Sequence, residues 1–196
     1  MKKRYGIGET LQNIISFIYT LVCWKNARLI RLPSRIRGRK CMDYGKGFTT
    51  GYSCRIEAGG DNDMKTLHIG NNVVIGDYAH IAAHYSVTIG DNVLIASRVY
   101  ISDTSHGAYT DSVDCTSPEI FPNNRPIICK EVEIGNNVWI GENVCILPGV
   151  HIGKGCVIGA NTTVTKSIPE YSIVVGTPGK IIKRYNKQKK YWEKVF

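Results

Sequence analysis

Ile134-Gly135-Asn136-Asn137-Val138-Trp139-Ile140-Gly141-Glu142-Asn143-Val144-Cys145-Ile146-Leu147-Pro148-Gly149-Val150-His151-Ile152-Gly153 repeats a pattern every six residues. The aliphatic series Ile134, Ile140, Ile146 and Ile152 runs on to Ile158 and Val164 without a break. The same register occurs earlier at Ile69, Ile75 and Ile81 and, after a two-residue slip, at Ile89, Ile95 and Ile101. Four residues after the aliphatic position lies a second small or β-branched one, as at Val73, Ala79, Val93, Val99, Val138, Val144 and Val150.

A period of six matches neither the 3.6 of a helical face nor the 2 of a long strand. It suits short strands joined by turns, each strand sending one aliphatic side chain inward. Val and Ile favour such strands, and Gly and Asn favour the corners. Three strands then make a triangular coil of eighteen residues, and each coil covers the apolar face of its neighbour. The pattern predicts about two coils in 66–103 and two in 132–168, with a less regular one near 45–62. The excess of Gly, 20 in 196 residues against a usual share of about 7%, suggests many tight turns, and these corners account for it.

The quoted stretch resembles the hexapeptide-repeat acyltransferases. The resemblance covers roughly residues 66–184. It implies an all-β fold, a left-handed parallel β-helix, and a homotrimer with active sites between subunits. It also implies an N-terminal helix, a protruding catalytic loop and a short C-terminal helix. The resulting division is 1–40 as amphipathic helix and basic segment, 41–184 as β-helix with a loop at 103–130, and 185–196 as a basic tail.

The register stops after Ile101 and resumes at Ile134. A solenoid has no structural use for so long an excursion, and such insertions often carry function. At its start stands Asp103-Thr104-Ser105-His106-Gly107. A sugar hydroxyl attacks a thioester poorly near neutrality unless a base removes its proton, and His, with an unperturbed pKa near 6.5, suits that task. No Ser-His-Asp arrangement is suggested, so direct transfer without an acyl-enzyme is expected. The segment is similar to the Asp-x-x-His-Gly loop of the family, which implies His106 as general base. Asp103 is read either as orienting the imidazole or the acceptor, or as a turn-forming residue. Trp139, at a position where the family often has Trp, is expected to pack against the donor thioester or the acceptor ring.

The end of the repeat, Gly159-Ala160-Asn161-Thr162-Thr163-Val164-Thr165-Lys166 and Val175-Gly176-Thr177-Pro178-Gly179-Lys180, resembles the acetyl-CoA-binding end of the family. The resemblance places Gly141 and Ala160 near the pantetheine amides, and Thr165, Lys166 and Lys180 near the nucleotide and phosphates. A phosphate-rich co-substrate needs cationic neighbours, since charge-assisted contacts are the stronger ones. The family's usual Pro-Ala-Lys is Pro178-Gly179-Lys180 here, a lost methyl expected to matter little. No metal is expected. His80, His84 and His106 faintly resemble the zinc site of β-helical carbonic anhydrases, without that family's spacing.

The loop together with Asn123-Asn124-Arg125-Pro126 and the basic tail is similar to O-acetyltransferases of bacterial lipopolysaccharide, exopolysaccharide or capsule assembly. Acetylation of a small sugar, amino sugar or xenobiotic is the alternative. The net charge of +9 is concentrated at the ends: Lys25–Lys40 holds seven basic residues and no acid, and 180–196 holds seven against Glu193 alone. No stacking-aromatic motif or basic recognition helix accompanies them, so nucleic acid is not an expected partner.

The 7 Cys, odd in number and without a C-x-x-C pair, indicate neither a disulfide framework nor a zinc ribbon and fit a reducing, cytoplasmic compartment. Leu11, Ile14, Ile15, Ile18, Leu21 and Val22 recur at helical spacing but over too short a stretch to span a membrane. Packing of this helix on its own protein is favoured over lying on a membrane. With the basic 25–40 segment it also fits an enzyme working near a lipid-linked glycan at the inner face of a membrane.

Overall fold

The computed structural model describes residues 5–195. A 17-residue helix, α1 (Ile7–Cys23), precedes a chain that is otherwise almost entirely short strands. Strands recur in threes, each pairing in parallel with its counterparts in neighbouring coils, which builds three faces of a parallel β-helix. The first face stacks Leu29–Ile30, Thr49–Thr50, Val74–Ile75, Leu94–Ile95, Trp139–Ile140, Val157–Ile158 and Ser172–Val175. The second stacks Arg35–Arg37, Arg55–Ala58, His80–Ala83, Tyr100–Ser102, Cys145–Ile146 and Thr163–Val164. The third stacks Met42–Tyr44, Leu67–Ile69, Val87–Ile89, Val132–Ile134 and His151–Ile152.

The six-residue period is the register of these faces. Ile75, Ile95, Ile140 and Ile158 lie directly over one another, as do Ile56, Ile81, Ile101 and Ile146, and Ile69, Ile89, Ile134 and Ile152. All are buried, and the intervening Val73, Val93, Val99, Val138 and Val144 fill the corners. Each buried aliphatic side chain contributes about 1.5–3 kcal/mol relative to exposure, so stability grows with every coil added. Asn72, Asn92, Asn137, Asn143 and Asn161 turn corners at positive φ, a conformation Asn tolerates better than most residues.

Three expectations are corrected. The coil begins at Leu29, inside the segment read as an N-terminal extension, because Leu29–Ile30 pairs with Thr49–Thr50 and Arg35–Arg37 with Arg55–Glu57. Their inward Ile30 and Ile36 lie six residues apart, in register with the later coils, but one aliphatic interval is too short to reveal a repeat without the pairing. The expected C-terminal helix is an antiparallel hairpin, Lys180–Asn186 with Tyr191–Lys194, added to the edge of the first face. The strand Ser172–Val175 leaves an open edge there, and Ile181, Ile182, Tyr185 and Trp192 are strand formers. Asn186 Oδ1 accepts from the Gln188 and Lys189 amides to close the turn. Residues 185–196 are therefore no separate tail, since the boundary at 185 cuts this hairpin.

Cys54 is buried, and burial pushes its thiol up to about 11, so it is not a thiolate nucleophile at neutral pH.

Candidate active site

The excursion leaves the second face after Tyr100–Ser102 and folds into a hairpin, Thr104–His106 against Ile127–Cys129, with His106 opposite Ile127. Ladder bonds tie the base to the coil: the Lys130 amide donates to Asp103 O, and the Gly107 amide to Pro126 O. The chain then turns at Gly107, whose φ of 109° is one that L side chains rarely adopt. This turn leaves His106 exposed at the end of an anchored strand.

Asp103 is fully buried, and its carboxylate takes three backbone donors from the coil below. Oδ1 accepts from the His84 amide at 3.1 Å, and Oδ2 from Tyr85 at 2.7 Å and Ser86 at 2.8 Å. Its oxygens thus hold the 84–86 turn. The two-residue slip between the early repeats lies in this same turn.

Two residues to which sequence reasoning assigned no individual role shape the loop. Arg125 Nη1 donates to the Tyr109 hydroxyl at 2.8 Å, Nε to Ile120 O at 2.9 Å and Nη2 to Pro118 O at 3.2 Å. The Tyr109 hydroxyl in turn donates to His106 O. The guanidinium therefore gathers the loop around the backbone of His106. Nothing periodic links positions 109 and 125, so the pairing had no signal in the sequence. We expect Arg125→Ala to lower kcat by about tenfold with little change in melting temperature, because it frees an exposed loop and leaves the coil intact. Kinetics beside a thermal melt check this.

The site residues do not all meet within one chain. Thr165 shares a cavity of about 280 Å³ with Ser105, Gly107, Tyr109, Lys130 and Leu147, so it sits at the base of the hairpin. Lys166 is the next, exposed residue. Gly141 and Ala160 stack at the corner between the first and second faces. A Cβ on Gly141 would lie 2.6 Å from the Ala160 amide, so this position accepts only glycine. Gly141 is buried in the corner, and Ala160 is exposed at its surface.

Lys180 follows Gly179, whose amide donates to Thr163 O at the edge of the same corner. A Cβ at Gly179 would meet the methyls Thr162 Cγ2 and Val174 Cγ1 at 3.0 Å, so the family's alanine would fit here once those side chains gave way by a few tenths of an ångström. Trp139 is half exposed in the middle of the first face, between Leu94 and Val157, whereas the hairpin carrying His106 leaves the second. His80 engages Glu57 at 3.3 Å. Among the described residues no group of three His, Cys, Asp or Glu side chains converges as a metal-binding set.

Comparison with known proteins agrees with this architecture. The family model for six-repeat bacterial transferase hexapeptides matches residues 131–166, and that for the hexapeptide repeat of succinyl-transferase matches 67–103. The chain is 43% identical over 194 residues to the Escherichia coli (strain K12) protein named "Putative lipopolysaccharide biosynthesis O-acetyl transferase WbbJ", covering 99% of this chain and 97% of that one. It is 40% identical to the galactoside O-acetyltransferase of the same organism, over 64% of this chain and 58% of that one. A solved galactoside acetyltransferase in complex with coenzyme A superposes with a TM-score of 0.55 at 36% identity, covering 76% of this chain and 73% of that one. An N-acyltransferase from Bacillus cereus, AntD, shares the fold with a TM-score of 0.64 at 21% identity, over 84% of each chain. With a relative alike over almost its whole length and repeat models matching on both sides of the hairpin, this chain belongs to the hexapeptide-repeat acetyltransferases.

Proposed function

We propose that the chain is an O-acetyltransferase of bacterial surface polysaccharide assembly, acting on a sugar hydroxyl of lipopolysaccharide, exopolysaccharide or capsule. The donor is acetyl-CoA. The observation that carries the mechanism is His106, exposed at the end of a strand anchored to the coil, on the segment that interrupts the repeat. The acceptor is carried by the relative named for lipopolysaccharide biosynthesis, alike from end to end.

The imidazole of His106 removes the proton as the sugar oxygen attacks the thioester carbonyl carbon. A C–O bond forms, the C–S bond breaks, and the proton passes to the departing thiolate of CoA. Positioned proton transfer of this kind contributes about 10²- to 10⁴-fold. Gly141 and Ala160 would lie near the pantetheine amides, and Thr165, Lys166 and Lys180 would meet the nucleotide and phosphates. The coil is left-handed in this reading, and three chains assemble so that Trp139 of a neighbouring chain closes on the His106 hairpin.

The test is thiol release from acetyl-CoA with purified bacterial glycans and simple sugars as acceptors. Acetylation of one glycan is the expected result. Failure to bind acetyl-CoA at all would end the proposal. Sedimentation equilibrium at three times the chain mass, and loss of activity in Trp139→Ala without loss of the trimer, are expected alongside it.

A further inference from the structure

Helix α1 presents its faces in the reverse of the usual order. Gln12, Asn13, Ser16 and Thr20 form a polar stripe, and this stripe meets the coil. Thr20 Oγ1 accepts from the Ile30 amide at 2.8 Å and Ser16 Oγ from the Leu32 amide at 3.0 Å, while Gln12 Nε2 donates to Leu32 O at 2.7 Å. Asn13 Oδ1 accepts from Arg31 Nε and from the Tyr52 hydroxyl. The first strand of a β-helix has an open edge, and these side chains satisfy it.

The opposite stripe, at helical spacing, is Ile7, Leu11, Ile14, Ile18, Leu21 and Val22, all exposed, Ile7 and Val22 by 85% and 80%. A surface helix ordinarily turns its apolar stripe to the core, and a contiguous exposed apolar patch marks an interaction site.

We propose that this stripe inserts into the interfacial layer of an anionic bilayer and docks the end of the β-helix on a membrane. Charge selects this occupant. The helix runs into Lys25, Arg28 and Arg35, exposed and within a stretch free of acids, and Lys2-Lys3-Arg4 precede it in the sequence. Its only acid, Glu9, lies on the coil side, lining a cavity with Arg31. A second copy docking by a two-fold axis would bring these like-charged segments together, whereas anionic headgroups neutralise them. At about 1.5 Å per residue the helix spans roughly 25 Å, short of the ~30 Å hydrocarbon layer, and no helix of the described residues is long and apolar enough to cross a membrane. It therefore lies in the interface, as amphipathic helices with basic flanks do.

The test is co-sedimentation of the full chain with vesicles of phosphatidylcholine alone, and with phosphatidylglycerol mixed in, at low and at physiological salt. Binding is expected to the anionic vesicles and to weaken as salt shortens the Debye length from about 30 Å to about 8 Å. Ile14→Ser with Ile18→Ser is expected to lower partitioning by about tenfold or more, since both side chains lose burial in lipid. Both are exposed and lie outside the polar stripe that holds the coil, so thiol release on a soluble acceptor stays at the wild-type rate. That readout separates failure of docking from failure of the acetyl-transfer reading. Wild type remaining in the supernatant at low salt, or binding indifferent to lipid charge, would overturn the proposal. So would higher assembly of the lipid-free protein that the double substitution abolishes, which would assign the stripe to a second copy.

Discussion

Replacing His106 by alanine is expected to lower turnover of the acetylated glycan by about 10²-fold or more, with acetyl-CoA affinity and melting temperature near wild type. The two unchanged quantities follow from the structure. His106 is exposed at a hairpin end, and the corner at Gly141 and Ala160 belongs to other turns of the coil. The loss should therefore fall on kcat, with donor binding spared, because the imidazole acts on the proton that moves during attack. Thiol release under saturating donor, beside calorimetric titration of CoA, measures both. Unchanged turnover in the variant would remove His106 from the chemistry and leave the donor corner standing. Glutamine at 106 should be no better than alanine, since an amide cannot accept the proton.

Asp103→Ala should produce the largest change in stability. The buried carboxylate holds three backbone amides of the 84–86 turn. Bonds to an ionised acceptor contribute about 1.5–3 kcal/mol each, and a donor stranded without a partner costs more. Water can reach the turn, because His84 and Tyr85 are exposed, so a total near 3 kcal/mol is the sensible expectation. At 2–4 °C per kcal/mol for a chain of this size, the melting temperature should fall by roughly 6–12 °C. Asp103→Asn keeps one acceptor oxygen and should lose about half as much.

The pair of variants also separates the two readings of this residue. A structural Asp103 loses melting temperature in both variants and retains kcat in the asparagine form. An Asp103 that acts at the reacting centre would show the opposite, a normal melt with kcat as low as in His106→Ala.

How far the sequence was legible depended on whether the physics repeats. Six uninterrupted matches from Ile134 to Val164 could be read directly, because each coil imposes the same demand on its inward position. The strands Leu29–Ile30 and Arg35–Arg37 were not legible: their inward Ile30 and Ile36 keep the spacing of six, but a single aliphatic interval at the end of the stack is no pattern by itself. The C-terminal hairpin was missed for a related reason. Its lysines favour helix while Ile181, Ile182, Tyr185 and Trp192 favour strand, and the open edge of Ser172–Val175 chose between them.

The site divides along the same line. His106 could be picked out because a break in a strict period is visible without coordinates, and because Asp103 to Gly107 resembles a known segment. The Arg125 guanidinium reaching Tyr109 and two loop carbonyls was invisible, since an irregular loop obeys no spacing rule.

Residue order alone thus established the coil, its corners and the segment that leaves it, since these follow from local preferences summed over identical neighbours. Three-dimensional packing settled which way α1 faces, what Asp103 holds and how the last residues pair. Each depends on an unsatisfied edge or amide that exists only once distant parts of the chain have come together. The helix shows this most clearly. Its apolar stripe is plain in the sequence and suggested burial against the protein. The open edge at Ile30 and Leu32 claimed the hydroxyls of Ser16 and Thr20 instead, and that turned the stripe outward.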